Sequence, residues 1–383
     1  MVTNIITLLH ANGSLLTEPM EIKNHMLEYF ENLFSSSNNI TNTNLVQSVI
    51  PSLITQDDND ILSAIPSWEE IKKAVFSLDP SSAPGPDGFN GLFYQTCWSI
   101  IQADICKAIT QFFVQSWILP CLNSNFLTLI PKSPNADTIK QFRPIALANF
   151  IFKIIPKILS ERIALIVPKI ISPHQNGFIR GRSIHHCIGL TSECFNLLDT
   201  KRKGGNVAIK IDIAKAFDTL DWNFLLKVLH AFGFNQTFIG WVHTILQSAK
   251  LSILINGTPC GYFSCKRGVR QGDPLSPILF CLAEEVLSRY LSIVMESSLI
   301  HPMAGPTGVT MPSHTLFADD VMLFCRGDNN NLKMVLKILN DYGNASRQVM
   351  NYSKSKVFLG KGALHRRTEI TTILGMTEGN APF

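Results

Sequence analysis

None of the nine cysteines forms a Cys-x-x-Cys pair, and Cys260 and Cys265, the closest two in the chain, have no cluster of metal ligands beside them. That spacing excludes zinc ribbons and thioredoxin-type redox motifs and leaves reduced structural thiols as the expectation. The chain also lacks a basic region ahead of its short N-terminal apolar run, so no secretory signal is read there. Its most apolar stretch, Phe150 to Ile171, is interrupted by Lys153, Lys157, Glu161, Arg162 and Lys169, which argues against a membrane span. There is no internal repeat. Charge is sparse, 16% of 383 residues with a net of +4, while 46% are hydrophobic. A chain of that length and apolar content buries a large core and accommodates two or three subdomains.

Against this background two acidic motifs stand out, 107 residues apart. In the first, Val207, Ile209 and Ile211 alternate with Ala208 and Lys210, the period of a strand with one buried face, and Asp212 falls where that strand should end. In the second, Asp319-Asp320 interrupts an apolar run from Leu316 to Phe324, the pattern of a hairpin turn between two strands. Phosphoryl transfer between oxygens is served by two divalent ions about 3.5–4 Å apart, held by hard carboxylate oxygens. Adjacent acids in an apolar strand turn repel one another unless a cation compensates them. A lone Asp-Asp is equally the signature of an exposed turn, and the motif by itself leaves both readings open.

Cations cluster upstream. Leu129-Ile-Pro131-Lys132 and Phe142-Arg143-Pro144-Ile145 each set one basic residue beside a proline. From Lys132 to Arg182 nine Lys or Arg face two acids, a net of +7, whereas the rest of the chain sums to −3. Such a segment suits phosphates, although a solvated helix face is the alternative for most of it. Between the acids, Arg267 to Pro277 reads as a loop feeding a helix, with Ser276 as N-cap and Pro277 as first helical residue. Gln271 and Gly272 in that loop could lie against a base pair or simply form the turn.

The remaining pattern places structure around these residues. Apolar positions 22, 26, 27, 30, 33 and 34 make a helical stripe over Glu21–Phe34, and Ser35 to Asn44 reads as a polar linker. A capping box, Ser67-Trp-Glu-Glu70, opens a helix that ends before the Pro84-Gly-Pro-Asp-Gly88 turn. Asp221 reads as a helix cap, Asp218 as a residue that orients its turn, and Asn256-Gly257 as a hairpin turn between the two acidic strands.

In order along the chain, Pro84–Gly88, Leu129–Lys132, Phe142–Ile145, Ile171–Ser183, Asp212–Asp218, Arg270–Pro277, Phe317–Asp320 and Asn351–Ser355 resemble the reverse transcriptase domain of non-LTR (LINE-type) retrotransposons, particularly those of plants. The resemblance runs through roughly residues 1–383. It implies an α+β right-hand polymerase with helical, basic fingers and a ferredoxin-like palm. The expected boundaries are an N-terminal helical extension and linker (1–65), fingers (66–200) and palm with an inserted hairpin and further fingers elements (201–383). The thumb is expected to be largely absent, as is an upstream endonuclease, so processive synthesis by this chain alone is not expected.

Residue by residue, the resemblance implies that Asp212, Asp319 and Asp320 are catalytic and, with the backbone of Ile213, hold two Mg²⁺ ions, Mn²⁺ being an alternative. Lys132 and Arg143 would grip the incoming triphosphate, Gln271 and Gly272 would meet the nascent base pair, and Phe217 would crowd the ribose 2′ position so that dNTP is selected over NTP. A core phenylalanine is the competing reading of Phe217. Lys354 is the candidate general acid for departing pyrophosphate, with Lys356 as its alternative. The implied partners are an RNA template, a DNA primer and dNTP, with no membrane and no oligomeric state specified. The implied setting is intracellular, nuclear or cytoplasmic.

RNA-templated DNA synthesis is therefore the leading functional expectation. A catalytically incompetent retroelement fragment that only binds RNA is the runner-up. A palm-type nucleotidyl cyclase would need the acids but not the Lys132 and Arg143 cations, which weighs against it.

Overall fold

The computed structural model describes residues 9–11, 14–35 and 44–380. The linker expected at Ser35–Asn44 lies, apart from its ends, outside the described residues. A small hairpin of β1 (Leu9–Ala11) and β2 (Ser14–Leu16) precedes α1 (Pro19–Ser35), whose Ile22, Met26, Phe30, Leu33 and Phe34 are buried as the stripe predicts. Five helices follow: α2 (Leu45–Val49), α3 (Gln56–Ser63), α4 (Trp68–Ser77), α5 (Gly91–Thr96) and α6 (Trp98–Gln115). The strands β3 (Ser124–Pro131) and β4 (Phe142–Ala148) come next, then the long α7 (Phe150–Ile170) and α8 (Ile184–Asn196).

The second half holds β5 (Asn206–Ile211), β6 (Ile213–Ala214), α9 (Ala216–Thr219), α10 (Trp222–Phe232), α11 (Gln236–Gln247) and the hairpin β7 (Lys250–Ile255) and β8 (Thr258–Ser264). It continues through α12 (Ser276–Glu296), β9 (His314–Phe317), β10 (Asp320–Arg326), α13 (Asn329–Ser346), β11 (Val349–Met350), β12 (Lys356–Leu359), α14 (Arg367–Leu374) and β13 (Thr377–Glu378). The architecture is mixed α/β, and among the described residues no helix is long and apolar enough to cross a membrane. All nine cysteines are free thiols.

Two sheets position the chemistry. One has the order β13-β12-β5-β10-β9, the other β4-β3-β7-β8. In the first, Val207, Ile209 and Ile211 join Val321, Leu323 and Val357 in the main apolar cluster, together with Leu229 of α10, Val286 of α12 and Val335 of α13. The other face is not wholly polar: Ala208 and Phe324 pack with Cys194 and Leu198 in a smaller cluster. Turn chemistry fixes the hairpins. Asn256 and Gly257 both take positive φ, 51° and 80°, the geometry a two-residue turn demands between twisted antiparallel strands.

Three local expectations shift. Lys132, directly after β3, and Arg143, on β4, are carried by an antiparallel strand pair rather than by a helical region, and the Asn256-Gly257 hairpin extends that same sheet through a parallel β3–β7 pairing. Helix α12 begins at Ser276 itself, with Leu275 as its cap residue and no side-chain cap bond from Ser276. The Asp273 carboxylate takes over that task by accepting the Leu275 N–H at 2.9 Å. Ser67 does cap α4, accepting the Glu70 N–H at 3.2 Å. The Glu70 carboxylate leaves the reciprocal half of the box unmade and pairs with the buried Arg162 of α7 through two 2.7 Å bonds.

Candidate active site

The acidic residues meet because β5 and β10 are antiparallel neighbours with Ile211 opposite Val321. One step beyond that pair, Asp212 stands across from Asp320. Phe317 pairs with Asp320, so Ala318 and Asp319 form the two-residue loop of the β9–β10 hairpin, Ala318 with φ of 55°. The Asp212 backbone is held on both sides: its N–H donates to Ser355 Oγ at 3.0 Å and its carbonyl accepts the Asn351 N–H at 2.8 Å. Ile213 opens β6 and pairs with Met350.

Asp319 opens to solvent at the turn, yet the protein on its other sides raises its pKa by burial, with Asp320 and Asp212 adding to the rise and Arg143 opposing it. Asp320, exposed, forms an ion pair with Lys210 at 3.2 Å. The crowding of like charge at Asp319 is the condition that a cation relieves, and the donors are hard oxygens suited to a divalent ion such as Mg²⁺. Among the described residues no three His, Cys, Asp or Glu side chains by themselves surround a metal position.

The cations come from the second sheet. Lys132 follows β3 and its ammonium donates to the Lys140 carbonyl at 3.0 Å, while Arg143 on β4 is exposed opposite Ile130. The Lys132 pKa is lowered by burial first, then by Lys354 and Arg143, with Asp218 and Asp212 acting against them. Residues from both sheets and from the turn after β11 therefore share one electrostatic neighbourhood. Of the two lysines left open by the sequence, Lys354 lies in it. Lys356 instead donates to Thr377 Oγ1 at 2.6 Å, on the β13 side of the sheet.

The Phe217 ring lies flat on Phe280 of α12, with centroids 4.2 Å apart and an interplanar angle of 17°. It is only half-buried. The Gln271 carbonyl accepts the Ala146 N–H at 2.9 Å and its side chain donates to Asp218 Oδ1 at 3.2 Å. Gly272, at φ of 108°, approaches so closely that a Cβ would stand 2.8 Å from the Ala146 carbonyl oxygen. This loop is thus stitched to the strand that carries Arg143.

Next to this loop lies a buried polar layer whose long-range partners have no local signal in the sequence. Burial pushes Asp218 up to about 6, against Lys215 and Gln271, and pushes Lys215 down to about 8. The Lys215 ammonium donates to Tyr29 Oη and sits 4.1 Å from the Tyr29 ring centroid, so α1 is fastened beside the acidic motif. Tyr342 Oη lies 2.8 Å from Glu284 and 2.5 Å from Gln348 Oε1, two acceptors for one hydrogen. Burial pushes Glu284 up to about 8, and its protonated form resolves the conflict by donating to Tyr342. Gln348 in turn donates to the Ala216 carbonyl at 3.1 Å, supporting the residue before Phe217.

The chain is similar in sequence to known proteins. The profile of the family described as Reverse transcriptase (RNA-dependent DNA polymerase) matches residues 130–377. The Transposon TX1 uncharacterized 149 kDa protein of Xenopus laevis is 27% identical over 92% of this chain and 27% of its own length. A Retrovirus-related Pol polyprotein from type-1 retrotransposable element R2 of Popillia japonica is 28% identical over 67% of this chain and 34% of its own. The corresponding polyprotein from type-2 retrotransposable element R2DM of Drosophila melanogaster is 26% identical over 71% and 24%. The chain thus spans about a quarter to a third of the length of these relatives.

Proposed function

The chain belongs to the reverse transcriptase (RNA-dependent DNA polymerase) family, and from that premise we propose that its cleft adds deoxynucleotides to a primer 3′-hydroxyl on an RNA template, as part of a non-LTR retrotransposon protein. The observation that carries this reading is the shared electrostatic neighbourhood of Lys132, Arg143 and Lys354 with Asp212 and Asp319. Triphosphate and metal need that juxtaposition of cations and acids, and neither a turn nor a structural ion pair does.

Lys132 and Arg143 grip the triphosphate and orient its α-phosphorus toward the primer. Asp212 and Asp319, with the Ile213 carbonyl, are the residues that would hold two divalent ions, Mg²⁺ by donor hardness and Mn²⁺ as substitute. Asp320, already paired with Lys210, takes the smaller share. When bound, such ions lower the pKa of the primer hydroxyl and neutralise the departing pyrophosphate. Lys354 supplies the proton to that leaving group. Phe217, made rigid by Phe280, is the wall against a ribose 2′-hydroxyl, and Gln271 with Gly272 backs the nascent base pair. In this reading the five-stranded sheet is the palm, within 201–383, and β3 and β4 with the helices around them are fingers, within 66–200, so the β7–β8 hairpin is a fingers element inserted in the palm segment. Residues 1–65 are the N-terminal extension.

The test is primer extension on an RNA template with dNTP or NTP and Mg²⁺. Asp319→Asn should lower dNTP extension by about 10³-fold or more, since several kcal/mol of transition-state stabilisation is withdrawn, and Phe217→Ala should admit NTP. Unchanged extension by Asp319→Asn would refute the site. Salt-sensitive RNA binding with no extension by the wild type would favour the binding-only alternative.

A further inference from the structure

The loop between α7 and α8 does more than connect them. Its backbone docks on the edge of β9: the Leu316 N–H donates to the His174 carbonyl and the Asn176 N–H to the Leu316 carbonyl, both at 2.8 Å. At its centre is Gln175, 1% exposed and fully engaged. Gln175 Oε1 accepts the Gly177 N–H at 2.8 Å and the Ala318 N–H at 3.0 Å, while its Nε2 donates to the Ala318 carbonyl at 3.3 Å. Both backbone polar groups of the residue immediately before Asp319 are therefore satisfied by one side chain. Ala318 needs such support because it holds a left-handed φ of 55°, a conformation that side-chain-bearing residues seldom adopt. The approach is also tight: a Cβ on Gly177 would stand 2.4 Å from the Ala318 nitrogen. The loop is anchored in turn by Arg182, which donates to the carbonyls of Gln175 at 2.6 Å and Ile171 at 2.9 Å.

We infer that Gln175 is a positioning residue for Asp319: it locks the strained hairpin turn so that the carboxylate is held facing Asp212, a role that rests on the polymerase reading for its catalytic consequence but not for its geometry. Buried amide side chains that satisfy both backbone groups of a turn residue fix the turn in one conformation, whereas a turn left to itself samples several. The chain of restraint runs from Arg182 through the Gln175 backbone and side chain to Ala318, and ends at the metal-holding carboxylate. Like the outer partners of metal ligands, Gln175 acts without touching substrate.

Gln175→Met keeps length and bulk but makes none of the three bonds. Gln175→Glu keeps an acceptor for the two N–H groups and loses the donor. In the Met variant, hydrogen–deuterium exchange in the segment 314–322 should accelerate, Mn²⁺ affinity read by electron paramagnetic resonance should fall, and kcat for primer extension should drop roughly 10–100-fold, with dNTP KM nearly unchanged because Lys132 and Arg143 are untouched. The Glu variant should give intermediate values of all three, and it carries the test should Gln175→Met fail to fold. Wild-type exchange at Ala318, or wild-type Mn²⁺ affinity and kcat in either folded variant, would overturn the assignment. If the wild type extends no primer, the polymerase reading fails separately, and the exchange and Mn²⁺ measurements still decide the clamp.

Discussion

Asp218 shows how burial sets the titration of a carboxylate close to the first acidic motif. Only 5% of it is exposed, and burial outweighs Lys215, Gln271, Lys132 and Arg267 in setting its titration. Its folded pKa of about 6 lies above the ordinary 3.8, so the folded state holds the proton more tightly than the unfolded chain does. For this group stability is greatest below pH 3.8 and is lost as pH rises through about 6, a loss of at most about 3 kcal/mol at neutrality. Asp218→Asn has no such proton to release. Its stability relative to wild type should therefore rise between pH 4 and pH 7, read from urea unfolding at the two pH values. A relative fall would show that the charge on Lys215 governs the pair instead. The sequence made Asp212, Asp319 and Asp320 visible because strand period and turn chemistry are local. It was silent on Lys215, Tyr29 and Gln175, whose partners lie 186 residues away in the case of Lys215 and Tyr29, and 143 in that of Gln175 and Ala318.

Among the elements, α4 and α7 illustrate why a correct local motif can still hide its main partner. Ser67 caps α4 as its spacing predicts, but Glu70 is drawn 92 residues along the chain to Arg162. That guanidinium also donates to the carbonyls of Leu62 at 3.2 Å and Ala64 at 2.6 Å, joining α7 to the end of α3. The Arg162 side chain is 7% exposed and that of Glu70 30%, so water can rescue the acid better than it can the two carbonyls. Arg162→Met should destabilise the fold by about 2–4 kcal/mol, somewhat below the full penalty for orphaning a buried partner. Glu70→Gln, which keeps a hydrogen-bond acceptor, should cost about 1 kcal/mol. Chemical denaturation of both variants checks the order, and a larger loss from Glu70→Gln would mean that the acid, not the arginine, is the anchor. The strands β3 and β4 went unread for a related reason: only pairing with each other and with β7 makes these proline-containing segments strands.

For the molecule as a whole, charge counted along the sequence differs from charge presented to a ligand. The segment from Lys132 to Arg182 carries +7, but much of it is engaged in pairs and hydrogen bonds within the chain. Lys157 pairs with Glu161 at 3.3 Å, Lys169 with Asp58 at 3.2 Å and Arg162 with Glu70, while Arg182 is occupied by backbone carbonyls. Left over is the smaller group of Lys132 and Arg143, whose charges act on one another, with Lys354 joining from the far end of the chain. Binding of an RNA–DNA primer-template releases counterions in proportion to the phosphates neutralised, so the slope of log affinity against log salt counts the cations in use. Lys132→Gln and Arg143→Gln should each flatten that slope by roughly 0.7–0.9, whereas Lys157→Gln and Lys169→Gln should leave it unchanged. A filter-binding or fluorescence titration across a salt series measures all four. Equal flattening by every variant would mean that diffuse surface charge, not the Lys132 and Arg143 pair, holds the nucleic acid.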